Sequence, residues 1–200
     1  MINQSEESKL GLLRFDLNGS WTVGEFSNLL ETIDTSYIRL SLFLFRSDEF
    51  DHHIRCFGAD QIRMARPESF TPLLSHARRH TEDLRVRRLS LASPGFVEMV
   101  GNLNPIKIIA DFIIAWRHEN TVRDENTHQA ELERMRIKAE LAKLLIERAE
   151  HLTKGHPDAF MERLVEYVVD EPQKALTSQA KDMRITQVSW QEISQTEIAE

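Results

Sequence analysis

The sequence predicts an α+β chain that is predominantly helical, with a small strand-containing N-terminal unit, a long helix and a helical C-terminal region. Three observations carry this expectation. From Pro105 to Leu152, about 48 residues run without an internal proline or glycine, the residues that most often punctuate a helix. Leu10 to Asn18, LGLLRFDLN, alternates, with Leu13, Phe15 and Leu17 facing one way and Arg14 and Asp16 the other, the period of a strand. Leu84 to Ala92, LRVRRLSLA, reads as a second strand closed by the turn residues Ser93-Pro94-Gly95. The expected organisation is an α+β unit over residues 1–104, a long helix and helical hairpin over 105–170, and a partly mobile tail over 171–200.

Taken in order, Asn18-Gly19 supplies the turn after the first strand. Ser20 or Thr22 is the N-cap of the first helix, and Glu25 stands three residues after Thr22, the spacing of a capping box. Phe26, Leu29, Leu30, Ile33, Tyr37, Leu40 and Leu44 then recur at helical spacing. They favour one helix ending near Phe45 over a strand at Ile38 to Phe45. Arg46 to Asp60 reads as a polar loop, and a short helix starts near Ser69. Phe96 to Val100 reads as a single helical turn. Asn104 caps the long helix with Pro105 at its first position, where a missing N–H costs nothing.

A continuous helix to Leu152 would be roughly 70 Å long. His118 to Asn126, HENTVRDEN, holds poor helix formers, so a hinge and a straight rod both remain open there. Gly155 ends the second part as a C′ residue. A further helix runs from Pro157 to a stop at Pro172, and a strand at Met183 to Trp190 is the last expected element.

Composition narrows the function classes. With 200 residues, 41% hydrophobic and 28% charged, the chain can build a core, and its net charge of -7 is not that of a generic nucleic-acid binder. A single cysteine, Cys56, excludes an internal disulfide framework and suits a reducing cytosol. The opening MINQSEESKL is polar and acidic, unlike a secretory signal. The apolar run from Pro105 to Trp116 is shorter than the about 20 residues a membrane span needs. The expected location is cytoplasmic, with no membrane span.

A helix longer than its own domain needs implies something to lie against. Ile109, Phe112, Ile113 and Trp116 in its apolar half, and Met135, Leu141, Leu145 and Leu152 in its charged half, are the expected interface with a second copy or a protein partner. The second reading uses basic density. From Arg55 to Arg88 eight arginines face four acids, a local +4 in an acidic chain. Arg78, Arg79, Arg85, Arg87 and Arg88 could form a patch for nucleic acid or for an acidic protein. The third reading is a metal-dependent enzyme built on Asp48, Glu49, Asp51, His52 and His53, residue types that suit Zn, Mn or Fe.

That cluster has no ligand-motif spacing such as HExxH, however, and adjacent histidines share no face of a helix or strand. Nothing in the sequence places a base beside Cys56, and there is no phosphate-binding glycine loop and no G-x-S-x-G. No catalytic residue, metal or cofactor is expected. Trp21 and Trp116 read as core or interface anchors, and Trp190 as a docking contact or a packing residue.

Two stretches carry a family likeness: FDLNGSWTVGEFSNLLETIDTSYIRL, and LRVRRLSLASPGFVEMVGNLNPIKIIADFI. A strand, a tryptophan-started helix with a late tyrosine, and an arginine-rich strand running through Ser-Pro-Gly into an apolar helix resemble small adaptor-like domains of bacterial conflict systems, antiphage or self/nonself. The resemblance implies a non-catalytic connector between sensors and effectors. It transfers no functional residue.

Overall fold

The computed structural model describes residues 9–44, 78, 83–121, 132, 135–137, 139–140, 143, 165–180 and 184–194. They form a mixed α/β layer structure. In chain order the elements are β1 (Leu10–Leu17), α1 (Val23–Leu44), β2 (Arg85–Ser90), β3 (Gly95–Asn102), α2 (Leu103–Thr121), a π-helical turn (Glu166–Asp170), α3 (Glu171–Ala180) and β4 (Ile185–Ile193). The four strands make one sheet in the order β2-β3-β1-β4, every neighbouring pair antiparallel. This is the strand order of two interleaved split β-α-β units, the ferredoxin-like connectivity, enlarged by the long connections after α1 and after α2.

The predominantly helical expectation is overturned by this sheet. Its strands come from both halves of the chain, and the C-terminal β4 lies along the whole of β1, from Leu10 opposite Ile193 to Leu17 opposite Ile185. No rod appears among the described residues: the longest helices are α1 with 22 residues and α2 with 19, the latter about 28 Å long.

Phe96 to Val100 is a strand and not a helical turn. Val97 and Met99 face the helices, and Glu98 and Val100 on the other face are buried as well. A central strand buried on both sides lacks the polar alternation that marks a half-buried one. Pro172 does not stop its helix. It stands inside a continuous helical run, two residues after the π-helical turn that leads directly into α3. The turn before it is wound in π register, Glu171 donating its N–H to the Glu166 carbonyl.

One face of the sheet carries the core. Leu13, Phe15 and Leu17 of β1 and Val97 and Met99 of β3 pack against Leu29, Ile33, Tyr37 and Leu40 of α1 and against Ile106, Ile109, Phe112 and Ile113 of α2. Val168, Val169 and Leu176 bring the π turn and α3 into the same cluster. Two glycines permit close approach. A Cβ on Gly11 would lie 3.0 Å from the Leu103 Cα, so this glycine lets the start of α2 rest on β1. At Gly101 the Tyr37 ring occupies the space a side chain would take.

The capping box read from the sequence is present. The Glu25 N–H donates to Thr22 Oγ1 at 3.2 Å, and the Thr22 N–H donates to Glu25 Oε2 at 2.9 Å. Arg184, just before β4, reaches the same carboxylate at 2.8 Å and stacks over the Trp21 ring at 4.4 Å. The Arg184 hydrogen bond first, then the two from Thr22, hold the Glu25 carboxyl down at about 2, against an ordinary 4.5. A depressed folded pKa contributes stability that is complete above the ordinary value and is lost as pH falls through the folded one. The Glu25→Gln variant should therefore melt below the parent at neutral pH. The two curves should converge between pH 4.5 and pH 2, as thermal unfolding across that window will show.

Candidate interaction surface

The sheet face away from the helices is organised in rows, because cross-strand partners share a face. One row is Arg88, Glu98, Arg14 and Ser189; a second is Arg85, Val100, Leu12 and Gln191; a third is Ser90, Phe96, Asp16 and Gln187. Glu98 is nearly buried, and a buried carboxylate needs a partner. Arg14 supplies it at 2.8 Å and binds Asp16 at 2.9 Å. The Arg14 guanidinium also lies 4.3 Å above the Phe96 ring. The hydrogen bond with Asp16, against the cost of partial burial, raises its pKa further. Beyond this charged end, Leu12, Val100, Ile193 and Leu10 form a small apolar cluster of their own.

The edge of the sheet at β2 is different. Its ladder with β3 slips between Val86 and Arg88, leaving Arg87 as an extra residue, a β-bulge. The bulge sets Arg85 and Arg88 on the outer face and Val86 and Leu89 on the inner face. That inner face is apolar but uncovered: Val86 is 49% exposed, Leu89 46%, and Leu91, just past the strand, 62%. Leu84, just before the strand, is tucked against the core. Among the described residues β2 pairs only with β3.

The residues singled out in the sequence are thus dispersed. Ile109, Phe112 and Ile113 are 0–1% exposed. They belong to the core between α2 and the sheet and offer nothing to a partner, because the apolar half of the expected long helix is consumed by its own domain. Trp116 lies in α2. Met135 is helical and 49% exposed, while its neighbour Ile137 packs on the core. Leu141, Leu145, Leu152 and Arg79 lie outside the described residues, as do Asp48 to His53 and Cys56.

The arginine patch divides. Arg78 is bound to Asp34 at 2.9 Å, a carboxyl that burial pushes up and Arg78 pulls down. Arg85 and Arg88 share the outer face of β2, and Arg87 stands apart from them at the bulge. Trp190 is a packing residue: its indole N–H donates to Asp111 of α2 at 3.2 Å, and Lys107 sits 5.3 Å from its ring centroid.

Missed in the sequence were Val86, Leu89 and Leu91 as a stripe. The signal was there: Val86 and Leu89 are three apart, and Arg87-Arg88 breaks the alternation, as a bulge requires. Among the described residues no group of three His, Cys, Asp or Glu side chains could hold a metal ion, and no helix is long and apolar enough to cross a membrane. Compared with known proteins, the chain matches no family model, no curated protein and no solved structure.

Proposed function

We propose that this chain is a non-enzymatic protein-interaction module, an adaptor that docks a protein partner along the β2 edge of its sheet. The observation that carries the reading is an edge strand with an uncovered apolar stripe, Val86, Leu89 and Leu91, 46–62% exposed. Edge strands usually blunt such surface with charge and bulges. β2 has both devices and keeps the stripe, which suits an edge that receives a partner strand. The resemblance to adaptor-like domains of bacterial conflict systems supports the same reading. Its two stretches meet where the Gly19 N–H donates to Ser93 Oγ at 3.2 Å.

Placing a photo-reactive phenylalanine at position 89 of the full chain, in cells that make it, tests the reading. A single protein adduct is expected from position 89 and none from position 191 on the opposite edge. Adding Val86→Asp and Leu91→Asp should abolish it. Adducts equal from both positions, or none from 89, would overturn the docking edge.

Arg85, Arg88 and the ring of Phe96 on the outer face favour a second reading, single-stranded nucleic acid. Against it, Asp16 and Glu98 share that face and already hold Arg14. Oligonucleotide binding that weakens steeply between low and moderate salt would transfer the face to nucleic acid.

A further inference from the structure

We infer that the occupant of the β2 edge is an extended peptide segment in which acidic and apolar residues alternate. This inference rests on the docking reading above and gives the partner its chemistry. Successive side chains of a strand point to opposite faces. A segment laid beside β2 therefore presents one set of side chains to the Val86–Leu89 face and the other to the Arg85–Arg88 face. Apolar residues in the first set extend the uncovered stripe. Aspartate or glutamate in the second meets the two exposed arginines, Arg85 and Arg88.

Other occupants fit less well. A second copy of β2 would bring arginines opposite arginines, and like charges in cross-strand positions destabilise a pair. The opposite edge does not compete, because β4 exposes Thr186, Gln187, Gln191 and Glu192, a polar row with one carboxylate and no apolar stripe. β2 is only six residues long, so a segment of about that length covers it.

The test is fluorescence anisotropy of the full chain with three labelled, end-capped octapeptides. One alternates glutamate and valine, one holds the same residues in two blocks, and one alternates lysine and valine. Saturable binding is expected only for the alternating acidic peptide. The double variant Arg85→Glu, Arg88→Glu should bind it at least about tenfold more weakly, since reversed charges repel across an interface. The same variant should gain affinity for the lysine peptide, which no unfolded variant would do. Absence of saturable binding by the acidic peptide, or affinity indifferent to the charge reversal, overturns the inference. If the adduct at position 89 forms while the acidic peptide fails, the docking edge stands and only the occupant's chemistry falls.

Discussion

Gly95→Ala is expected to cost this fold more than about 3 kcal/mol, at or beyond the upper end of overpacking effects. Gly95 opens β3 after the turn in which the Ser93–Pro94 peptide is cis. A Cβ built there would press on the carbonyl oxygens of both Ser90 and Ala92, well inside the 3.0 Å that real Cβ atoms keep. Both obstacles are backbone, so no rotamer change can relieve them. One belongs to the last residue of β2, and moving it would disturb the β2–β3 ladder. The expected readout is a urea midpoint displaced sharply downward at unchanged slope. A variant within about 0.5 kcal/mol of the parent, the range of a neutral surface change, would mean that the turn is packed differently.

The second large effect lies at the Tyr37–Gly101 contact, and it should be non-additive. Tyr37 is fully buried, and its hydroxyl accepts the Asn102 N–H at 2.8 Å. Tyr37→Phe leaves that buried N–H without its acceptor, a loss of about 1–3 kcal/mol. Gly101→Ala places a methyl 2.8 Å from the same hydroxyl oxygen and 3.0 Å from Cε2 and Cζ, with a cost of about 1–3 kcal/mol. Removing the hydroxyl removes the nearest obstacle, so the double variant should lose less than the two losses added together. The coupling expected for residues in contact is about 0.5–3 kcal/mol. A double-mutant cycle that closes additively would show that the ring and the glycine do not touch.

Local chemistry was legible in the sequence, and long-range pairing was not. The capping box at Thr22 and Glu25, the run of α1 to Leu44 and the strands β1 and β2 could be read because each is fixed by neighbours within a few residues. β3 could not, since burial on both faces comes from a sheet that no local window contains. The Pro105–Trp116 run was visible as apolar but not as core. An apolar face looks the same whether its cover is another chain or this chain's own sheet. The assignment of Arg85 and Arg88 to one face depended on a bulge whose only trace is the doubled arginine. The described part of the candidate edge was therefore half readable: its charges could be seen, its apolar stripe could not.

The placement of β4 beside β1 also bears on how the protein is made. Lys9 and Glu192, which meet at 3.0 Å, are 183 residues apart in the chain. During synthesis β1 emerges early, yet one of its two neighbours is translated only after the long segments between. Until then the edge of β1 that β4 will cover, and the Phe15 face meant for Val188, lack their lasting cover. Closing a loop of that size is entropically unrewarded until its contacts form, so the step belongs to the slow, high-contact-order class. Of the two neighbours of β1, β3 is available first, and the pairing with β4 is the last contact of the sheet that translation makes possible.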